Sequence, residues 1–310
     1  MKRASGGRSH GFTIVETMIV LAVSGALFTS AIFFIGGRQQ KAEFTASVRN
    51  FETSINDIAN DVSDGYFADN AGTGLINSCT ATGASITIST GATGSQGSRN
   101  DCILIGKAIQ FAPSGSNGAQ YNVMNLVGLH YKGGNIDNGD VTSYAESGVK
   151  AIAKTNIGDT STPDGITNNA VNNGVTIGCV LYIDPAGTPL TVPPVTNPCN
   201  LTGTNVVKTD VIAFMTKLQG LDINNNQETG SASVDMLVPA VTTGALGRTT
   251  QSAATTLNSF SAVANVKANP AGGIYICLRS GGANQHALVK IGGTNSAFSA
   301  VATIRNGGCS

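Results

Sequence analysis

The chain has no tryptophan, only three histidines among 310 residues, and little charge: Asp, Glu, Lys and Arg together make 12 % of it, about half the usual share. So few histidines leave little neutral-pH acid–base or zinc chemistry, and His10, His130 and His286 never fall in HExxH spacing. There is no GxSxG nucleophile elbow and no GxxxxGK phosphate loop. The sequence therefore assigns no catalytic residue and no cofactor, and the chain reads as a non-enzyme. Charge of either sign is balanced overall, and beyond Ile35 there are 15 Lys plus Arg against 17 Asp plus Glu. A broadly basic footprint is absent, so no specific nucleic-acid partner is expected. Proline is missing from Met1 to Pro113, which leaves nothing to interrupt a long helix.

What is present begins with one long apolar run. Phe12 to Ile35 is 24 residues, roughly 36 Å of helix against a hydrocarbon core of about 30 Å. Lys2, Arg3 and Arg8 precede it without any acid, which orients that end toward the cytoplasm and exports the rest. The stretch exceeds the apolar region of about 7–15 residues in a secretory signal. One carboxylate, Glu16, sits inside it. A charge within hydrocarbon opposes insertion by about 2.5–3.5 kcal/mol, so its presence asks for a partner. Beyond the run, Val48, Phe51, Ile55, Ile58 and Val62 recur at spacings of 3 and 4, while Arg49, Glu52, Asp57 and Asp61 take other faces. Asp64-Gly65 closes the pattern as a glycine C-cap. The divisions expected are a basic cytoplasmic segment over 1–11, which the resemblance described next makes a leader peptide, a membrane-spanning part of the helix over 12–35, an amphipathic part over 36–64 and an exported β-rich head over 65–310.

At Gly11-Phe12-Thr13-Ile14-Val15-Glu16 the sequence resembles the processing site of type IV prepilins and of type II secretion pseudopilins. The resemblance covers about the first 50 residues. It implies that a prepilin peptidase cuts after Gly11 and methylates the new amino terminus on Phe12, and that Glu16 is the family's acidic fifth mature residue. Gly25 matches a glycine common in the family's helix, whereas Phe33 stands where many type IV pilins carry proline. Physics supplies a reason for the pairing. Cleavage creates an ammonium on Phe12 one helical turn from Glu16, and a carboxylate bonded to a neighbouring subunit's ammonium would fix axial register in a filament. The resemblance further implies a single-pass protein of the cytoplasmic membrane with an exported head, reaching the cell surface in a filament. Its partners would be other pilin subunits, the inner-membrane assembly platform and, before assembly, membrane lipid. Two other readings are a minor pilin acting as tip adhesin or initiator, and a membrane-anchored exoenzyme.

Past Gly65 the composition turns to glycine, asparagine, serine and threonine between short β-like runs: 85–89, 102–111, 121–131, 175–183, 206–214, 234–241, 273–279 and 286–291. Helical periods are weak there. The expected class is α+β, a long helix laid on an antiparallel, disulfide-stapled head. The polar stretch 133–174 reads as loop-rich and as a divider of two lobes.

All six cysteines, Cys79, Cys102, Cys179, Cys199, Cys277 and Cys309, lie on the exported side, with no CxxC pair. That favours three disulfides over a zinc site. Fifteen pairings exist; sequence neighbours, Cys79 with Cys102, Cys179 with Cys199 and Cys277 with Cys309, close the shortest loops, each stabilising by roughly 3–4 kcal/mol. Five of the nine prolines crowd residues 184–198, which reads as a stiff surface loop. A calcium candidate is Asp222, Asn224, Asn226 and Glu228, whose alternate oxygens resemble the start of an EF-hand loop, although Gln227 replaces its glycine and Ser233 its closing glutamate.

Overall fold

The computed structural model describes residues 13–64, 76–82, 85–92, 102–152, 166–183, 199, 206–216, 234–241, 246–270, 272–282, 284–292 and 299–307. Gly11, Phe12, Cys309 and the calcium candidate at 222–228 lie outside them, as do residues 184–198. The chain is α+β. It divides into two compact units, Met1–Glu43 and Phe44–Ser310.

Helix α1 runs over Ile14–Ser63 without a break at Phe33. In the first unit its side chains Ile14, Val15, Met18, Ile19, Leu21, Leu27 and Phe28 are all exposed. Within it Ile14–Ile32 is long and apolar enough to cross a membrane. In the second unit Phe44, Val48, Phe51, Ile55, Ile58, Ala59 and Val62 are buried, the apolar stripe of a helix packed on one side.

Among the described residues every strand pairing is antiparallel. Strands β1 (Ile76–Thr82) and β2 (Ser85–Ala92) form a hairpin. A larger sheet has the order β11 (Val266–Ala268), β10 (Val234–Pro239), β9 (Val211–Thr216), β3 (Cys102–Phe111), β4 (Gln120–Leu129), with β5 (Lys150–Ala151) and β6 (Ile166–Ala170) both paired to β4. A five-stranded sheet has the order β14 (Ala300–Asn306), β13 (Gln285–Ile291), β12 (Ile274–Ser280), β7 (Val175–Ile183), β8 (Val206–Lys208).

One core joins the buried stripe of α1 to a face of each large sheet. It takes Ile109, Phe111, Ile212, Phe214, Met236 and Val238 from the larger one, and Ile177, Val180, Tyr182, Ile276, Leu278, Val289 and Ala302 from the smaller. Phe51 anchors it, edge-on to Tyr121 with ring centroids 5.4 Å apart. The alternate residues of the larger sheet, Ala108, Met124, Leu126, Ala213, Met215 and Leu237, face a second core closed by helix α3 (Thr250–Asn258). Those of the smaller sheet, Cys179, Leu181 and Cys277, form a third. This is the two-residue period of a strand read out on both faces.

Three differences from the sequence reading have local causes. The run 206–214 is two strands in two sheets, because Thr209 Oγ1 donates to the Val211 carbonyl and accepts from the Val211 amide, closing a turn on the buried Asp210. Helix α3 escapes a periodicity reading since only Ala253, Ala254 and Leu257 of its nine residues are buried, two of them alanines. Strands β5, β6, β11 and β14 lack long apolar runs; they are two to seven residues long and sit at sheet edges. Within 133–174 the chain forms two 3-10 turns, the short helix α2 (Tyr144–Ser147), β5 and β6.

Candidate functional site

The amino-terminal turn of α1 is built by a capping pattern. Thr13 precedes the first helical residue, and its Oγ1 accepts the Glu16 backbone N–H at 3.3 Å. Thr13-Ile14-Val15-Glu16 has the S/T-x-x-E form of a capping box, a signal present in the sequence, of which the threonine half is formed. As the acid of the first turn, Glu16 faces the positive end of the helix dipole. Its carboxylate makes no hydrogen bond or ion pair among the described residues, and it is exposed. The capping contact is made by its backbone, so the charge is left available.

Three of the four hydroxyls after Glu16 in the apolar stretch are satisfied within the helix; Ser30 makes no hydrogen bond among the described residues. Thr17 Oγ1 donates to the Ile14 carbonyl at 2.8 Å, Ser24 Oγ to Val20, and Thr29 Oγ1 to Gly25 at 2.9 Å. Back-bonding of this kind removes the unsatisfied hydroxyl that would otherwise oppose burial in hydrocarbon.

In the second unit polar side chains of α1 bond outward to the sheets and fix its register on them. Lys107, buried in β3, donates to Asp61 Oδ2 at 2.6 Å. Asn56 grips edge strand β14, accepting the Ala300 amide at 2.7 Å and donating to the Ala300 carbonyl at 3.5 Å. Asn173 Nδ2 donates to Ser47 Oγ at 2.9 Å. Asn173 and Gly174 both have positive φ, 56° and 67°, and form the tight turn that carries the chain from β6 into β7. Sliding α1 by one turn would break all three contacts. None was singled out from the sequence, though a lysine amid Ile103–Phe111 was the visible signal.

The remaining residues of interest scatter. Cys179 and Cys199 form a disulfide with 5.6 Å between Cα atoms. Cys277 is also disulfide-bonded. Cys79 lies on β1 and Cys102 opens β3; their side chains fall outside the described ones, and so does Cys309. His130 Nε2 lies 3.6 Å from Asp140 Oδ1 and its ring stacks on Tyr131. His286 is buried on β13 with Nδ1 3.1 Å from the Gly307 carbonyl. Glu146 accepts from the Thr142 amide and hydroxyl, which holds its carboxyl below the usual glutamate range, with Lys132 assisting. No group of three His, Cys, Asp or Glu side chains able to hold a metal occurs among the described residues.

What the geometry provides is thus an exposed apolar helix with one available carboxylate in its first turn, and a head clasped to the same helix by hydrophobic and polar contacts. Comparison with protein-family models, with curated proteins and with solved structures finds no match to this chain.

Proposed function

We propose that this protein is a structural subunit of a type IV pilus or pseudopilus, processed after Gly11, methylated on Phe12 and assembled through packed amino-terminal helices. The observation that carries the reading is the sequence Gly11–Glu16 at the foot of an apolar helix whose Thr17, Ser24 and Thr29 hydroxyls are satisfied internally while the single charge between Ile14 and Ile32 is not. An exposed apolar surface of this length needs lipid or other apolar helices around it. In a membrane it meets the first; in a filament, the second. Glu16 then pairs with the ammonium that cleavage creates on a neighbouring Phe12, which fixes register rather than adding much stability.

The test is amino-terminal mass spectrometry of the chain recovered from membranes and from sheared surface filaments. The expected product begins at Phe12 and carries a methyl group. A chain that keeps residues 1–11 in both fractions overturns the proposal.

A further inference from the structure

Net neutrality hides a separation of charge along the chain. After Asp235 there is no acidic residue, yet Arg248, Lys267, Arg279, Lys290 and Arg305 follow, so residues 1–235 hold all 18 acids and the remaining 13 of the 18 cations. Arg248 is bound to Asp210. Arg279, Lys290 and Arg305 all sit on the five-stranded sheet, on positions that alternate with Leu278, Val289 and Ile304 and so face away from the core shared with α1.

The pairing places Arg279 and Arg305 in one row: Arg279 stands opposite His286, and His286 opposite Arg305. None of the five strands of this sheet carries an acid to offset them. Arg279 is half-buried with its Nε unsatisfied, and neither it nor Arg305 has an ion pair among the described residues. Lys290 is exposed and lies over the Tyr275 ring at 5.8 Å.

We propose that this cationic face docks a second copy of the chain, and that the surface it receives is the acidic end of α1 carrying Asp57 and Asp64. Both aspartates are exposed, and neither makes an ion pair or a side-chain hydrogen bond among the described residues, although the Asp57 charge lies near enough to the Tyr121 phenol to add to the rise that burial causes in its pKa. They are seven residues apart on one helix face, about 10.5 Å along its axis. Arg279 and Arg305 are two strands apart, roughly 9.6 Å at 4.8 Å per strand. The last two turns of α1 from one copy, laid across β12, β13 and β14 of the next, would bring each aspartate to one arginine.

Within one chain the two surfaces cannot meet, because α1 packs on the opposite face of the same sheet. The contact is therefore head-to-tail and repeats from copy to copy, as an open assembly requires. A nucleic acid is a poorer occupant: among the described residues of this face the rings are Tyr275, half-buried with Lys290 over it, and the buried His286, and neither offers bases a stacking platform. The inference rests on the filament reading for its setting, but it involves neither Phe12 nor Glu16.

The test uses the full chain in detergent, with self-association followed by sedimentation velocity at low and high salt. Arg279→Glu with Arg305→Glu in one variant, and Asp57→Arg with Asp64→Arg in another, should each weaken association about tenfold or more. Mixing the two variants should restore it, since each retains the surface the other has lost. Circular dichroism and non-reducing gels establish that both fold; if either does not, Arg279→Gln with Arg305→Gln replaces it in the same assay and should lower both the association and its salt dependence. Association unchanged by either pair overturns the proposal. So does a chain that stays monomeric at all concentrations while binding an acidic polymer such as heparin through these arginines, which would assign the face to a foreign polyanion. An unprocessed amino terminus with the charge-swap behaviour intact would instead sink the filament reading and leave this contact standing.

Discussion

Replacing Glu16 by glutamine separates the two reasons for an acid at this position. Glutamine serves at the third helical residue of a capping box much as glutamate does, so the amino-terminal turn keeps its local support. The bond that holds the turn runs from the Glu16 backbone to Thr13 Oγ1 and does not involve the side chain. What the substitution removes locally is the interaction of an exposed carboxylate with the helix dipole, about 0.3–1 kcal/mol. Membrane insertion moves the other way: removing a charge that opposes it by about 2.5–3.5 kcal/mol at the centre of a span, and by less near its end, leaves insertion at least as good. Neither term can lower filament incorporation appreciably. A charge pair across a dry subunit contact, by comparison, is worth about 1.5 kcal/mol or more, at least tenfold in affinity. The expected outcome is an unchanged membrane level of Glu16→Gln and a drop of about tenfold or more in its share of sheared filaments. The assay is quantitative immunoblotting of the two fractions, beside wild type and Glu16→Ala. Equal incorporation of Glu16→Gln and wild type refutes the register role. Loss in the alanine variant alone would assign Glu16 to capping.

Gly106→Ala should destabilise the head by about 3 kcal/mol, the upper range of overpacking, because an added Cβ would fall against the Phe214 carbonyl oxygen and lie 2.9 Å from Met215 Cα, both backbone atoms of β9 that no rotamer change can move; a urea midpoint equal to wild type would contradict it. Tyr144 donates to the Thr216 carbonyl and to Asp235 Oδ2, each at 3.2 Å, and burial first, then the Asp235 charge, pushes its phenol above the ordinary value. Because the folded value is the higher one, its contribution is full below about pH 10 and is lost as pH rises through the folded value; Tyr144→Phe should flatten that alkaline loss, and identical alkaline unfolding curves would argue against it.

Legibility in the sequence followed periodicity and failed where structure depends on distant partners. The stripe Val48, Phe51, Ile55, Ile58 and Val62 announces a one-sided helix, and 102–111 and 175–183 announce strands, since each has enough apolar residues at one spacing for a neighbour to be irrelevant to the choice. The bulges are another matter. Between Leu104 and Gly106 the register of β3 on β4 shifts by one, so Ile103 and Ile105 face the second core with Ala108 while Lys107 and Ile109 face α1. No local pattern specifies that change of side, because it exists only in relation to β4. Likewise Asn56 and Asn173 look like ordinary surface asparagines until β14 and Ser47 are brought to them across the fold. Edge strand β14 has apolar residues at four of seven positions, but two of the three that reach the core, Ala300 and Ala302, are alanines too small to announce it.

The two parts of α1 treat their polar side chains in opposite ways, and that contrast is what gives Glu16 its meaning. From Phe44 onward, Ser47, Asn56 and Asp61 bond to groups supplied by other elements, and together they set where the helix lies on the head. Between Ile14 and Ile32, Thr17, Ser24 and Thr29 bond to carbonyls of their own helix, which leaves that surface free to slide against any apolar neighbour. A surface of this kind supplies association without position: dispersion and exclusion from water have no preferred register along a smooth apolar helix. Position must then come from a directional group, and Glu16 is the single charged residue between Ile14 and Ile32. If apolar packing supplies the affinity and Glu16 the register, substitutions along Ile19, Leu21 and Leu27 should change how much protein assembles, whereas those at Glu16 should change whether subunits add in step.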